Sequence, residues 1–236
     1  MTATLITGAN KGLGFATARI LIAAGNTVYL GSRDVERGLR AAEQLGARTV
    51  QLDVTDDASV AAAVKSIEAG GGLDVLVNNA GIQEEMGDDG AVIGAADVTA
   101  DLMRQTFETN VFGVVRVLRA FLPVLQRSTD PVVVNVSSGL ASITRVSTHG
   151  TPAYAYQGVA YPASKAAVNM ITVQYAKAFP NMRINAVEPG FTKTDLNWNT
   201  GRQTVEQGAE VIARVAQMGP DDPTGRYFDA AGAVPW

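Results

Sequence analysis

Short apolar runs rich in Val, Ile and Leu alternate with longer stretches of helical periodicity along the chain. The apolar runs are nearly continuous rather than alternating, which is typical of strands that helices cover on both faces. We predict strands at residues 4–6, 27–30, 48–52, 73–77, 131–136, 183–187 and 226–228. We predict helices at residues 14–24, 34–45, 56–68, 103–126 and 163–179.

The order of these elements predicts the fold class. A β-α-β-α order favours a parallel sheet with right-handed crossovers, so we expect an α/β protein with a Rossmann-like, doubly wound sheet. We find no linker or repeat and expect residues 1–236 to form a single domain. Three irregular segments, 83–97, 142–158 and 191–203, are expected to be loops at the ligand crevice that set specificity.

Composition excludes several kinds of site. The net charge is −4 and the basic residues are scattered, so nucleic acid is not an expected partner. The absence of Cys excludes disulfides, thiolate metal ligands and a Cys nucleophile, and the single His149 excludes a site of several histidines. We therefore expect no metal site, and we interpret His149 as a solvated loop residue.

The beginning of the sequence enters an apolar strand directly, without a basic segment followed by a long apolar core. No apolar run approaches the length that crosses a membrane. We therefore expect no membrane association and a cytoplasmic location.

A glycine-rich turn follows the first predicted strand. Its glycines, Gly8, Gly12 and Gly14, stand at i, i+4 and i+6, which differs from the G-x-G-x-x-G fingerprint. Glycines allow a tight turn and let backbone N–H groups approach a pyrophosphate at a helix N-terminus, although a plain strand–helix turn is the alternative. The candidate cofactor residues in this turn are Gly8, Asn10, Lys11, Gly12, Leu13 and Gly14.

The end of the second predicted strand indicates which dinucleotide is used. A site that prefers NAD has a carboxylate there for the ribose 2′-OH, but this chain has Ser32 followed by Arg33. The guanidinium of Arg33 suits a 2′-phosphate, and Lys11 could reach the same group. We interpret Asp34 as the N-cap of the next helix. The sequence thus favours NADPH over NADH.

Tyr161 and Lys165 form the sharpest chemical signal. Their i, i+4 spacing puts them on one helix face, where an ammonium favours phenolate and lowers the pKa of a tyrosine. Such a tyrosine could donate or accept a proton near neutrality. A surface Tyr–Lys pair is the alternative for these two residues taken alone.

Polar residues at the ends of two strands favour a catalytic role for Tyr161 and Lys165 over a surface pair. Ser137 and Ser138 follow the fifth strand, where a hydroxyl could bond a substrate carbonyl oxygen, or simply form a turn. Asn79 follows the fourth strand. Asn110 stands inside a predicted helix, a poor position for Asn by propensity alone.

Together these motifs resemble the short-chain dehydrogenase/reductase family, in family order and over nearly the whole chain. The closer resemblance is to the animal carbonyl reductases. The family resemblance is carried by residues 7–14, 78–81, Asn110, Ser138, Tyr161 with Lys165, and 189–190. The closer resemblance is carried by residues 8–12, 32–35, 72–82 and Trp236.

The resemblance implies a role for each candidate catalytic residue. Tyr161 would protonate the carbonyl oxygen, and Ser138 would orient it. Lys165 would lower the pKa of Tyr161 and bind the nicotinamide ribose, and Asn110 would hold a water in a proton relay. By register against the family, Ser138 is preferred to Ser137.

The resemblance also implies a cofactor cleft. Asp53 would face the adenine, Asn79 would line the cleft, and Thr192 would meet the carboxamide. The implied cofactor residues beyond the glycine-rich turn are Arg33, Asp53, Val54, Asn79, Ala80, Gly81, Tyr161, Lys165, Pro189, Gly190 and Thr192.

The implied function is reduction of an aldehyde, ketone, keto ester or quinone with NADPH. The alternatives are an NAD(P)-dependent alcohol dehydrogenase working oxidatively and a non-catalytic NADP(H)-binding regulator. Ser138 and Tyr161 are 23 positions apart, more than is usual in the family but fewer than in the animal carbonyl reductases. This leaves open whether the chain is a monomer or a homo-oligomer.

An acidic run and two aromatic residues lie in the segments predicted to be loops. We interpret the acidic run Glu84, Glu85, Asp88 and Asp89 as a solvated loop, because it lacks the alternation of a calcium loop. Phe191 and Trp198 could form an apolar wall for a carbonyl substrate or could pack against the core.

Overall fold

A computed structural model describes residues 2–86 and 91–236. Eight strands form one sheet in the order β3-β2-β1-β4-β5-β6-β7-β8, parallel except for the antiparallel β8. The strands are β1 Ala3–Ile6, β2 Thr27–Ser32, β3 Arg48–Gln51, β4 Val75–Asn78, β5 Val132–Val136, β6 Arg183–Val187, β7 Tyr227–Asp229 and β8 Gly232–Ala233. The predicted doubly wound α/β fold is confirmed.

Helices connect these strands. They are α1 Gly12–Ala23, α2 Val35–Leu45, α3 Asp57–Ala69, α4 Ala100–Phe107, α5 Gly113–Leu125, α6 Ile143–Ser147, α7 Ala160–Ala178 and α8 Val205–Ala216. A π-helical turn, Glu108–Phe112, joins α4 to α5.

The core is divided into two layers by the sheet. On one face α3, α5 and α7 pack on the strands, with Phe121 and Ile67 fully buried among them. On the other face α1, α2 and α8 pack on the strands through residues such as Leu21 and Ile212. Coverage of both faces explains why the strands are apolar at consecutive positions.

The direction of winding reverses between β1 and β4, which are hydrogen-bonded neighbours. The chain moves outward from β1 to β3 and then returns to β4 on the opposite side of β1. Carboxyl ends of strands at such a switch point form a ligand crevice. The turn at 7–14 and the segment 79–81 therefore lie side by side.

Several predicted boundaries are wrong. The helix predicted at 103–126 is α4, the π turn and α5, because Asn110 makes side-chain bonds to Ile82 that accompany a local widening of the helix. Helix α7 begins at Ala160 and includes Pro162 in its first turn. A proline is tolerated there, because the N–H that it lacks would have no partner within the helix.

Two helices were absent from the prediction. Helix α8 begins at a capping box of Thr204 and Gln207. Segment 142–158 is not wholly irregular, because the Ser142 hydroxyl accepts from Arg145 N–H and α6 follows. Among the described residues no helix is long and apolar enough to cross a membrane, and no cluster of acidic or histidine side chains could hold a metal ion.

Candidate active site

The glycine-rich turn leaves the N-terminus of α1 open. Gly8 and Gly12 have φ of +63° and +58°, a region that favours glycine. The N-cap residue Lys11 makes no side-chain capping bond, and the first turn holds no acidic residue. The side chain of the N-cap residue therefore leaves the first N–H groups of α1 available, as a pyrophosphate site requires.

The segment after β4 supports this turn. The Thr7 hydroxyl accepts from Asn79 N–H at 3.0 Å and Ala80 N–H at 2.9 Å. The Asn79 amide donates to Thr7 O and Gly8 O at 2.9 and 3.2 Å. Asn79 thus holds the two edges of the crevice together.

Charged residues surround the end of β2. Arg33 is exposed. Desolvation by burial opposes ionisation of Asp53, but hydrogen bonds from Thr55 and then the charges of Arg33 and Arg116 lower its pKa. Asp34 caps α2 as predicted, since its carboxylate accepts from Arg37 N–H at 2.9 Å. The Ser32 hydroxyl donates to Asp34 O.

Lys11 lies near this group of charges but is not free. Its ammonium pairs with Asp195 at 2.6 Å, an exposed pair that joins the glycine-rich turn to the segment after β6. Arg37 and Arg40 line the same depression as Asn10 and Lys11. The sequence reasoning missed both arginines, although they follow Arg33 at helical spacing.

Asp53 and Val54 follow β3. Asp53 is partly buried, and its carboxylate accepts from Thr55 N–H and hydroxyl at 2.9 and 2.7 Å. Val54 packs against Gly113, where a side chain would have only 2.9 Å to the Val54 Cγ2. The first helical residue of α5 therefore lies directly beneath this edge of the crevice.

Tyr161, Lys165 and Ser138 come together where β5 ends. Tyr161 and Lys165 are both buried, and the Ser138 hydroxyl lies near enough to the Tyr161 phenol to lower its pKa, against the larger rise caused by burial. The Lys165 ammonium lies 5.7 Å from the centroid of the Tyr161 ring and donates to Val136 O at 2.7 Å. The predicted pair is thus buried, not a surface pair.

The electrostatics of this pair differ from the expectation. We expected Lys165 to lower the pKa of Tyr161, but burial raises the pKa of Tyr161 to about 12. The Ser138 hydrogen bond opposes that rise, while Glu85 and Glu188 add to it. Burial also lowers the pKa of Lys165 to about 8. Desolvation of the charged form is the largest cause of both shifts.

The two adjacent serines have different surroundings. Ser137 is buried, and its hydroxyl donates to Asn169 Oδ1 at 2.7 Å, with Lys165 O as a more distant acceptor at 3.4 Å. Ser138 is partly exposed and faces Tyr161. Tyr227, from β7, donates its hydroxyl to Ser138 O. The geometry therefore favours Ser138 over Ser137 as the hydroxyl near a substrate.

Asn110 lies within the π turn and is fully buried. Its Oδ1 accepts from Ile82 N–H at 2.8 Å, and its Nδ2 donates to Ile82 O at 2.9 Å and to Ser164 Oγ at 3.0 Å. A side chain on Gly81 would lie 3.3 Å from Asn110 Oδ1 and 3.5 Å from Lys165 Nζ. Asn110 thus connects the end of β4 to the helix that carries Tyr161.

Pro189, Gly190 and Thr192 follow β6. The Thr192 hydroxyl donates within this turn, to Pro189 O or Gly190 O, and accepts from Gln203 Nε2 at 2.9 Å. Gln203 also donates to Pro189 O. The sequence reasoning missed Gln203, whose amide closes the loop 191–203 from its far end.

Three ring side chains of the loops, Phe191, Trp198 and His149, lie at the surface. Phe191 and Trp198 are about half exposed, so they do not pack into the core. His149 is exposed and stacks on Tyr154 with ring centroids 4.2 Å apart. The prediction of a solvated His149 is confirmed.

The acidic run is not simply a solvated loop, because Glu85 is fully buried. Its carboxylate accepts from Tyr156 Oη, Val159 N–H and Ala160 N–H at 2.9, 3.1 and 2.6 Å. Glu84 is exposed as expected, and Asp88 and Asp89 lie outside the described residues. These three hydrogen bonds offset the cost of removing the Glu85 carboxylate from water, and the sequence pattern did not reveal them.

Comparison with known proteins gives consistent matches. A family model described as short chain dehydrogenase matches residues 2–205. Short-chain dehydrogenase/reductase 1 of Saponaria officinalis is 35% identical, over 98% of this chain and 95% of its own length. (+)-Neomenthol dehydrogenase of Capsicum annuum is 32% identical over 95% of this chain and 94% of its own length. Salutaridine reductase of Papaver bracteatum is 32% identical over 98% of this chain and 95% of its own length.

Solved structures agree with the sequence matches. NADPH-bound carbonyl reductase from chicken fatty liver superposes with a TM-score of 0.84 at 26% identity, over 100% of this chain and 99% of that one. An NADH complex of 3-ketoacyl-(acyl-carrier-protein) reductase from Brucella melitensis has a TM-score of 0.83 at 26% identity, over 97% and 96%. The chain therefore belongs to the short-chain dehydrogenase/reductase family of oxidoreductases.

Proposed function

We propose that this protein reduces a carbonyl group of an aldehyde, ketone, keto ester or quinone to an alcohol with NADPH. The observation that carries the proposal is the grouping of the partly exposed Ser138 with the buried Tyr161 and Lys165, beside an open helix N-terminus. An acid, a hydroxyl that orients a carbonyl oxygen and a dinucleotide site are the parts that such a reaction needs.

The residues of the crevice fit a dinucleotide. The uncapped first turn of α1 suits a pyrophosphate, and a side chain on Gly14 would come within 2.9 Å of Gly8 O, so the turn must stay free of one. Gly8, Asn10, Gly12 and Leu13 would hold the pyrophosphate. NADPH, when bound, supplies the hydride.

The ribose and nicotinamide parts would be held by residues that follow the other strands. Lys165 would bind the nicotinamide ribose, and Asp53 would face the adenine. We propose that the remaining walls of the cleft are Val54, Asn79, Ala80, Gly81, Pro189, Gly190 and Thr192.

Tyr161 is the proposed proton donor. Because burial raises the pKa of Tyr161 to about 12, its phenol is protonated at neutral pH. A protonated phenol can deliver its proton to the carbonyl oxygen as negative charge develops there, while Ser138 holds that oxygen by a hydrogen bond. Asn110 is proposed to hold a water that returns a proton toward Lys165 and Tyr161.

A preference for NADP(H) is supported by the charges around β2. Ser32 stands where a carboxylate would select NAD, and its hydroxyl is occupied by Asp34 O. Lys11 and Arg37 line one depression, the exposed Arg33 directly follows β2, and we propose that these cations receive a 2′-phosphate. Lys11 would have to exchange its partner Asp195 for that phosphate.

The direction of the reaction is proposed from the state of the tyrosine. Oxidation of an alcohol needs a phenolate as base, whereas the protonated Tyr161 suits reduction. Relatives named as reductases and as dehydrogenases both occur among the matches. We also propose that residues 1–236 act as one catalytic domain on a small-molecule substrate.

Replacing Tyr161 by Phe tests the proposal. We expect kcat for NADPH-dependent reduction of a panel of quinones, aldehydes and keto esters to fall by roughly 10²- to 10⁴-fold, because the proton donor is removed. NADPH binding, followed by fluorescence titration, should change little. Tyr154→Phe is the matched control, since Tyr154 is exposed and should leave the rate unchanged.

Reduction by Tyr161→Phe at the parent rate would show that another group is the acid. A parent protein that binds NADPH but reduces none of the panel would favour a non-catalytic NADP(H)-binding regulator.

A further inference from the structure

We propose that Glu85 is a positioning residue whose buried carboxylate caps the helix that carries Tyr161 and sets the charge around its hydroxyl. The role of Tyr161 as proton donor comes from the proposed function, on which this inference rests. Glu85 touches neither the Tyr161 hydroxyl nor any proposed cofactor residue among the contacts described above, so it acts through the helix and through its charge.

The environment of Glu85 is built to hold a carboxylate. Its side chain is fully buried, and its two oxygens accept three hydrogen bonds and donate none. This acceptor-only pattern is the one an ionised carboxyl group makes. Gly158 leaves the necessary space, because a side chain there would come within 2.3 Å of Glu85 Oε1.

Helix α7 depends on this carboxylate for its N-terminal cap. The N-cap residue Val159 has no side chain that can accept a hydrogen bond, and none caps the helix locally. Glu85 Oε2 accepts from Val159 N–H and Ala160 N–H instead. A negative charge at this end also interacts favourably with the helix dipole.

Tyr161 is the second residue of α7, directly after Ala160. Any loosening of the first turn therefore displaces the phenol before it disturbs the rest of the helix. Lys165 lies one turn further on and is fixed separately through Val136 O. Loss of the cap should thus misplace the acid relative to the ammonium.

The same carboxylate joins two of the loops near the crevice. Tyr156, in the segment between Ser138 and Tyr161, donates to Glu85 and accepts from Gln83 Nε2 at 2.6 Å. Gly94 and Gly158 form a β-bridge beside this contact. Glu85 therefore connects segment 83–97, segment 142–158 and α7 in one buried cluster.

The charge of Glu85 acts on Tyr161 together with other groups. The titratable or charged side chains facing the phenol are Lys165 on α7 itself, Glu85 and Tyr156 on the two loops, Glu188 after β6 and Tyr227 on β7. Glu85 and Glu188 both raise the pKa of Tyr161, since a neighbouring negative charge disfavours phenolate.

Two substitutions separate the cap from the charge. Glu85→Gln keeps an oxygen that can accept from α7 but removes the charge, whereas Glu85→Ala removes both. Glu84→Gln is the matched control, because Glu84 is the exposed neighbour. Each full-length variant is compared with the parent by steady-state kinetics, by amide hydrogen exchange and by NMR of tyrosines labelled with ¹³C at Cζ.

For Glu85→Gln we expect the Tyr161 resonance to titrate at lower pH than in the parent. The fall of kcat at high pH should move to lower pH in parallel, because a reduction needs the protonated phenol. A purely structural role would not produce this coupled shift. Glu84→Gln should leave both titrations in place.

For Glu85→Ala we expect kcat to fall roughly 10- to 100-fold with little change in the KM for NADPH, since the acid is misplaced while the dinucleotide site is intact. The amides of Val159 and Ala160 should lose protection from exchange. If Glu85→Ala does not fold, Glu85→Gln carries the test alone.

Unchanged tyrosine titration and unchanged kcat profile in Glu85→Gln would overturn the inference, even if Glu85→Ala is damaged. The NMR and exchange measurements need no substrate. A parent that fails to reduce carbonyls would therefore defeat the proposed function without deciding the role of Glu85, which the two substrate-free measurements would still decide.

Discussion

Gly14 is required for a reason different from that of its neighbours in the turn. Gly8 and Gly12 have positive φ, whereas Gly14 is a helical residue with no room for a side chain. A Cβ there would lie 2.7 Å from Asn79 Nδ2 and 2.9 Å from Gly8 O. The close approach of α1 to the end of β4 depends on that missing methyl group.

Replacing Gly14 by Ala should push the turn away from Asn79. We expect a loss of stability of about 1–3 kcal/mol from overpacking, and at least tenfold weaker binding of both NADPH and NADH. Urea denaturation and fluorescence titration measure the two effects. Gly219→Ala is the control, because a Cβ there meets nothing within 4 Å, and equal behaviour of the two variants would refute the packing argument.

Arg33 is the residue on which the proposed preference for NADPH depends. Its replacement by Ala should lower kcat/KM for NADPH roughly 10- to 100-fold, because a charge-assisted bond to a 2′-phosphate is lost, and should spare NADH. The ratio of the two kcat/KM values is the measurement. Arg119→Ala, an exposed change on α5, should keep the parent ratio. A constant ratio in Arg33→Ala would remove the argument for NADPH.

Residues were predictable where their chemistry is local in sequence. Tyr161 and Lys165 are four positions apart, and the glycines of the turn fall within seven residues. Glu85 was misinterpreted because its three donors lie 71 to 75 positions away. The pKa of Tyr161 could not be predicted from the sequence either, because it depends on burial that the tertiary structure creates.

At the scale of elements, capping explains where most helices begin. Helices α2, α3 and α4 start after Asp34, Asp56 and Thr99, each of which accepts from a backbone N–H of the first turn. Such caps are readable in a sequence. Helices α1, α5 and α7 have no local side-chain cap, and α7 receives its cap from Glu85 in another part of the chain.

Asp56→Ala should destabilise the protein by about 1 kcal/mol, since Ala58 N–H loses its acceptor at 3.0 Å. Chemical denaturation at neutral pH is the measurement. Lys65→Ala, an exposed change in the same helix, should stay close to the parent. If the two variants are equally stable, the cap contributes nothing to α3.

Helix α8 could have been predicted, because Thr204 and Gln207 have the spacing of a capping box. The π turn could not, because it accompanies bonds between Asn110 and Ile82 that join distant segments. Elements with local signals are thus accessible from sequence, and elements shaped by tertiary bonds are not.

For the whole molecule, the predicted fold was correct because seven of the eight strands were recognised from the sequence, and the central ones, such as β4 and β5, are apolar runs of the kind that two helical layers bury. The eighth, β8, has only two residues and no such pattern. The topology then places the carboxyl ends of β1, β4, β5 and β6 at one edge, where the site lies. That convergence follows from the parallel order and needs no further information from the sequence.

The buried Lys165 makes the stability of the whole protein depend on pH. Its pKa falls from 10.5 to about 8 on folding, so between these values the unfolded chain binds more protons and the free energy of unfolding rises with pH. The pKa of Tyr161 rises from 10.0 to about 12, so its contribution decreases stability above pH 10. We therefore expect stability to rise from pH 8 to 10.

Urea denaturation across this range measures the effect. Lys165→Met should flatten the rise, whereas Lys65→Met, at an exposed position, should retain it. An identical slope in parent and Lys165→Met would show that the ammonium is not desolvated on folding.

The two borders of the sheet have a consequence for self-association. At one border β3 is four residues long and exposes Arg48 and Gln51, and at the other β8 offers only two residues. Borders this short give an incoming strand few groups to pair with, which guards against aggregation during high-level expression. If two copies of this chain associate, we expect them to meet through helical surfaces rather than by continuing the sheet.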